Sequence, residues 1–350
     1  MKTVIDTDAL VSNFTVLKRT VGELYCVVKC NAYGHGAITC ANALYKAGAR
    51  RFAVFSLAEA LEIAPHTAGS EILIFGRTGI EDLSAVRDNG FIQTVFSEEY
   101  AEQIKTVGHG LKLHVKIDTG MNRSGFSPDA LRIFSSLAAL KNDVVGAYTH
   151  FPCADGDDAR DTETRLSVFL KACFKLEDLL NRRLTKHSAA SAAALRYPKA
   201  RLDACRVGLA LYGITPDNTE MHLLKPVMSF YGSIIGIRQV KKGETVGYGC
   251  RFVCKKDCMI ATVDVGYAGG LQRRLCGRFM PSVLGERVPI AAICMDRSML
   301  DVTSLFEHGK NVKAGDVVTF FGSDPKVTEM SDAADTISYE ILTSMNSQRR

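Results

Sequence analysis

The chain has 350 residues, of which 47% are hydrophobic and 23% charged, with a formal net charge of +5. That is an ordinary globular composition with length for two domains. No Lys/Arg block or aromatic-basic ladder points to nucleic acid, and no run of ~20 apolar residues points to a membrane span. Met1–Asp6 lacks the apolar core of a signal peptide. Eleven cysteines, an odd number, in a chain large enough to build its own core read as reduced thiols in a cytoplasmic protein. Cys26, Cys205 and Cys294 lie in or beside apolar runs, as buried thiols do.

Lys2–Ile5 is a short, polar candidate strand. Eight apolar or β-rich runs then recur at Leu24–Lys29, Phe52–Ser56, Glu71–Phe75, Phe91–Val95, Leu111–Ile117, Val144–Thr149, Leu184–His187 and Ala204–Val207. Segments of helical period separate them, among them Ile38–Ala47, Ser56–Ile63, Pro128–Leu140 and Asp161–Leu180. Strands alternating with helices imply βα units and a parallel sheet. Eight such units over this length fit an N-terminal (β/α)8 TIM barrel better than an open sheet. The character changes near Pro226. Beyond it, β-rich runs at Val227–Val240, Met259–Val265, Val288–Met295, Met299–Val302 and Asp316–Phe321 are joined by turns such as Lys242–Glu244 and Ala314–Asp316. The expected fold is therefore α/β: a barrel over residues 7–225, then a mainly β C-terminal domain over 226–350. Cys250, Cys254 and Cys258 are four apart but lack the close-paired spacing of a structural zinc site, so no metal is expected.

The active site of a TIM barrel lies at the C-terminal ends of its strands. Lys29 ends the first run, Asp118 and Arg123 follow the fifth, His150 follows the sixth, His187 ends the seventh, and Arg206 lies in the eighth. A lysine delivered by apolar residues has its ammonium form disfavoured and can form a Schiff base with a carbonyl. The same lysine also reads as one that snorkels out of a strand end. Either histidine alone reads as a hydrogen-bonded core residue, and Arg123 alone as a strut. Their joint placement favours a site.

Val27-Val28-Lys29-Cys30-Asn31-Ala32-Tyr33-Gly34-His35-Gly36 resembles the signature of bacterial alanine racemases. Further segments extend the resemblance along the chain in order: Lys116–Phe126, with its Lys-x-Asp-Thr-Gly-Met-x-Arg-x-Gly pattern, Arg206–Gly213, Val246–Gly249, Ile293–Asp296 and Ser338–Leu342. The resemblance implies a cofactor, pyridoxal 5′-phosphate (PLP), on Lys29, and racemisation of alanine by two bases, Lys29 and Tyr248, on opposite faces of the substrate. PLP supplies the electron sink while the protein supplies orientation and proton transfer. A phenol ordinarily titrates near pH ~10, so Tyr248 needs help from positive charge or hydrogen bonds.

The same resemblance implies Arg206 at the pyridine nitrogen, with Tyr33, Ser191, Gly208 and Tyr339 at the phosphate. His150 and His187 join the cofactor-binding set. Arg123, Met295 and Tyr267 are the implied substrate contacts, and Lys116 matches a lysine that is often carbamylated and braces Arg123. It also implies that Lys2–Ile5 pairs with the C-terminal domain. The implied assembly is a homodimer in which Tyr248 comes from the partner chain, and the implied role is D-alanine supply for the cell wall.

Val207, Ala190, Gly269 and Ala292 depart from the family's usual proline, asparagine, aspartate and arginine. The last two bear on substrate range and access more than on reaction type. Three alternatives stand beside alanine racemisation: a serine or broad-spectrum racemase, a decarboxylase of basic amino acids, and a non-catalytic PLP-binding protein. Arg206 argues against the decarboxylase, which favours an acidic partner at the pyridine nitrogen.

Overall fold

The computed structural model describes residues 1–128, 136–141, 143–156, 158–215 and 223–345. The helix expected over Pro128–Leu140 lies mostly outside the described residues. The chain divides into two compact units. One is formed by Thr7–Ala32 and Gly36–Lys225, the other by Met1–Asp6, Tyr33–His35 and Pro226–Arg350. Strand β1 (Lys2–Ile5) belongs to the latter.

The first unit is a nearly closed parallel barrel. Its strands are β2 (Leu24–Val27), β3 (Arg51–Val54), β4 (Glu71–Ile74), β5 (Ile92–Val95), β6 (Lys112–Lys116), β7 (Val144–Tyr148), β8 (Thr185–His187) and β9 (Cys205–Val207). They pair in the order β8-β7-β6-β5-β4-β3-β2-β9. Between β8 and β9 the ring is joined by a parallel bridge from Ala190 to Arg206, with the Arg206 N–H donating to Ala189 O at 2.8 Å. All eight apolar runs became barrel strands. β2 and β5 are buried at every position, as expected where helices cover the outer face and side chains fill the interior.

Several connecting helices start where a side chain can satisfy a free N–H group. Leu57–Ile63 opens on a reciprocal capping box: Ser56 Oγ accepts from the Glu59 N–H, and the Glu59 carboxylate accepts from the Ser56 N–H, both at 3.3 Å. Ala159–Leu180 opens on Asp158, whose carboxylate accepts from the Arg160 N–H at 3.0 Å. Leu166, Phe169, Cys173, Leu176 and Leu180 recur on its buried side at helical spacing.

The second unit is built on an antiparallel sheet. Its strands are β10 (Met228–Val240), β11 (Thr245–Val246), β12 (Phe252–Val253), β13 (Cys258–Val263), β14 (Ser282–Val283), β15 (Glu286–Arg287), β16 (Ile290–Ile293), β17 (Ser298–Asp301) and β18 (Val317–Phe321). The main sheet runs β15-β14-β18-β10-β13-β17-β16, and β1 adds to β10 with Lys2 opposite Tyr231. β11 and β12 form a separate two-stranded hairpin. The run expected over Val288–Met295 is shorter as β16. Past it, the carbonyls of Cys294 and Met295 turn away from the ladder and accept from Tyr267 and Ala268 at 2.9 and 2.8 Å.

All eleven cysteines are free thiols; Cys26 and Cys205 are buried, and Cys294 is only half-buried. Among the described residues, no helix is long and apolar enough to cross a membrane, and no group of three or more His, Cys, Asp or Glu could hold a metal ion.

Candidate active site

Lys29 emerges two residues beyond β2. The Val28 N–H still pairs with Ala53 O at 2.9 Å, so the amine is delivered from a rigid strand end. Its Nζ lies 6.0 Å from the centre of the Phe75 ring. Burial holds its ammonium below the ordinary lysine range; Cys30 and Glu59 oppose this, while Arg123 and Arg206 reinforce it.

The chain then turns in an unusual way. Cys30, Asn31, Ala32 and Tyr33 have φ of 53°, 53°, 52° and 55°, a run of left-handed residues without a glycine. Tertiary hydrogen bonds hold it. The Cys30 N–H donates to Glu59 Oε1 at 2.7 Å, and Glu59 Oε2 accepts from the Phe55 N–H at 2.7 Å. Asn31 accepts twice: its carbonyl from the Gly36 N–H at 2.9 Å and its Oδ1 from the Ala37 N–H at 2.7 Å. Glu59 thus caps its own helix and clamps the residue after the lysine.

Arg206 lies in β9 and is almost wholly buried. Its Nη1 donates to His187 O at 2.6 Å and faces His187 Nδ1 at 3.1 Å. Its Nη2 donates to Thr149 O at 2.6 Å and Ser188 O at 3.2 Å, and lies 3.5 Å from His150 Nδ1. Among the described residues its Nε makes no hydrogen bond. Burial lowers the guanidinium to about 10, which leaves it charged at neutral pH. Burial, with Arg206 next, pushes His150 down to about 3, and the same two causes put His187 well below the ordinary histidine value. Both imidazoles are therefore neutral.

Around this centre, Lys116 ends β6 and donates to Ser124 O and Oγ at 2.5 and 2.9 Å. Burial, then the charge of Arg123, brings its ammonium down to about 8. Asp118 Oδ1 accepts from the N–H groups of Gly120 and Met121 at 2.8 Å each, shaping the loop that carries Arg123. Arg123 itself is exposed. Ser191 Oγ accepts from the Gly208 and Ala210 N–H groups at 3.2 and 3.3 Å, leaving its own O–H to donate.

The second unit carries the other expected residues. Tyr248 sits between β11 and β12 and is 79% exposed. Gly247 and Gly249 on either side have φ of 78° and 75°, and a Cβ on Gly247 would collide with the Cβ of Ala292. The turn that presents the phenol therefore needs glycine. Tyr33 and Tyr339 pack together, ring centres 5.8 Å apart. Tyr267 and Met295 are tied through the 266–268 turn and stay exposed on the surface.

Sequence reasoning missed Glu59 and His114. Glu59 carried a readable sign, the Ser56-x-x-Glu59 capping pattern. His114 sits two residues before Lys116 in β6, so strand alternation puts both side chains on one face.

A parallel barrel with an amine of lowered pKa at its strand ends, backed by a buried guanidinium, defines an enzyme whose chemistry centres on a lysine. The family model for the alanine racemase N-terminal domain matches residues 5–216, and that for the alanine racemase C-terminal domain matches 227–350. The chain belongs to the alanine racemase family. It is 35% identical over 357 residues to an alanine racemase of Methanococcus maripaludis, covering 97% of this chain and 94% of that protein. The crystal structure of the biosynthetic alanine racemase from Pseudomonas aeruginosa superimposes with a TM-score of 0.89 at 32% identity, covering 99% of this chain and 97% of the other. An alanine racemase from Bartonella henselae with covalently bound pyridoxal phosphate gives a TM-score of 0.89 at 26% identity, covering 98% and 96%.

Proposed function

We propose that this chain racemises alanine with PLP held on Lys29, using Lys29 and Tyr248 as its two bases. The donor set of the barrel fits the group. Lys29 offers an amine with a depressed pKa for an aldehyde. Arg206 keeps one N–H, on Nε, for a ring nitrogen, and Ser191 keeps its O–H for a phosphate oxygen. When bound, PLP supplies an electron sink for the carbanion left after the α-proton departs. Everything else falls to the protein. Arg206, charged and fixed by four acceptors, disfavours a proton on the ring nitrogen and so limits side reactions of an over-stabilised carbanion. Lys29 Nζ takes or returns the proton on one face of the substrate and Tyr248 Oη on the other. Arg123 and Met295 contact the substrate, with Tyr267 beside them; Tyr33 and Tyr339 add to the phosphate set, and Gly208 joins it by turning its N–H from Ser191 Oγ to a phosphate oxygen.

The observation that carries the reading is the buried guanidinium behind a strand-end lysine. A chiral assay of the PLP-loaded protein against a panel of L-amino acids tests it. Alanine is expected to racemise fastest. Serine or a wider range racemising faster would shift the assignment to the broad-spectrum alternative. Carbon dioxide release from lysine or arginine, or no turnover at all, would overturn it.

Near pH 8 about half of the Lys116 amines are neutral, the form that adds carbon dioxide and releases a proton to give a carbamate. Lys116 is proposed to carry that carbamate beside Arg123, where the new negative charge replaces a repulsive pair with an attractive one. Intact-protein mass with and without bicarbonate checks this, and Lys116→Ala must abolish the gain. An unmodified mass in bicarbonate at pH 8 would sink the proposal. The same reading carries a homodimer in the cytoplasm, supplying D-alanine to the cell wall. The exposure of Tyr248, Tyr267 and Met295 supports a partner chain at that surface.

A further inference from the structure

His114 has no place in the chemistry above, yet it is fully buried in the middle of β6 in the same barrel. Its Nδ1 lies 2.9 Å from His187 Nε2, and His187 Nδ1 lies 3.1 Å from Arg206 Nη1. The proton positions along this row follow from chemistry. A guanidinium only donates, so His187 Nδ1 must be the bare nitrogen. A doubly protonated ring is disfavoured by burial and by the positive charge of Arg206. The His187 proton therefore sits on Nε2, and His114 Nδ1 must accept it. The row has one polarity, from Arg206 through His187 to His114.

The rings are also held in place. Tyr148 stacks on His187 with centres 5.0 Å apart and planes 9° apart, and Tyr25 packs nearby at 5.2 Å. Tyr25 meets His114 edge-on at 6.3 Å. Residue 146, opposite His114 across the β6–β7 pair, is glycine, and any Cβ there would run into the imidazole. Space is thus reserved for the His114 ring.

We propose that His114 is a positioning residue for Arg206: by accepting from His187 it fixes the tautomer that keeps His187 an acceptor. With that tautomer, all four hydrogens on the two terminal nitrogens of Arg206 have partners, and Nε–H alone remains for the ring nitrogen of the cofactor. Without His114, the buried His187 Nε2–H has no acceptor. Moving the proton to Nδ1 relieves that loss but sets an N–H against the N–H of Arg206. The guanidinium then loses one of its anchors. This role rests on the PLP reading only for its final step.

The test uses the full-length protein labelled with 15N-histidine, with and without PLP, and long-range 1H–15N correlation to read tautomers. His187 is expected as the Nε2–H form. In His114→Phe it should move toward Nδ1–H, and the ring nitrogen of 15N-labelled PLP should shift toward its protonated value. Transamination relative to racemisation should rise on the order of tenfold, the size one hydrogen bond carries. His114→Asn should restore all three readouts, because the amide Oδ1 accepts where Nδ1 did. Wild-type His187 found as Nδ1–H overturns the proposal, as does an unchanged tautomer in a folded His114→Phe protein. If the Phe variant does not fold, the wild-type and Asn tautomers decide. Failure of the wild type to take up PLP would instead count against the functional reading, since the histidine tautomers are read without cofactor as well.

Discussion

Borohydride reduction of the PLP-loaded protein, followed by peptide mapping, is expected to leave the label on Lys29 alone. Lysine 116 is the stringent competitor. It too is buried at a strand end with a lowered ammonium pKa, but its Nζ is already spent on Ser124 O and Oγ. Lys29 has the apolar face of Phe75 instead. Lys29→Ala should abolish the label and lower kcat by at least ~10³-fold, because one residue serves as both attachment point and base. A label on Lys116, or a Lys29→Ala protein that retains wild-type turnover, would overturn the assignment of the cofactor lysine.

The second large effect is a gain from two inactive proteins. Lys29 belongs to the barrel and Tyr248 to the β unit, and the proposal takes them from different chains of a two-fold dimer. Lys29→Ala and Tyr248→Ala proteins are mixed in equal amounts and allowed to exchange subunits. About half of the dimers should then be mixed. In each mixed dimer one site receives both wild-type residues and the other receives neither. About a quarter of all sites should therefore recover activity, on the same symmetry argument. Demonstrated exchange without recovery would place both residues in one chain.

The fold was legible because its signals are local and repeated. Most barrel strands are short apolar runs bounded by helical period, and burial on both faces of a parallel sheet produces that signal; β8, Thr185-Lys186-His187, was marked more by its place in the alternation than by its composition. β11 and β12 were not legible, since two residues each are too few to display an alternation. In the candidate site, strand ends pointed to Lys29 and His187, and a charged residue inside a short strand pointed to Arg206. The contacts that orient them could not be read in the same way. Glu59 reaches Cys30 across 29 residues, and His114 meets His187 across 73. The left-handed run after Lys29 was hidden for a related reason. Cysteine, alanine and tyrosine have no local preference for positive φ, so only the distant bonds that hold the run could have announced it.

That run has a consequence for anyone wishing to make the protein more robust. Four left-handed residues carry roughly 4–8 kcal/mol of gross strain at about 1–2 kcal/mol each, against a usual net stability of about 5–15 kcal/mol. Glycine at Cys30 or Ala32 would remove part of that strain and is the obvious thermostabilising substitution. It would also give backbone freedom to the segment beside Lys29, widening the arc through which the amine wanders. Heat tolerance and the aim of the lysine are thus set against each other in one short stretch of chain. A search for hardier variants is better directed to the outer helices, where propensity can be improved without touching the tether.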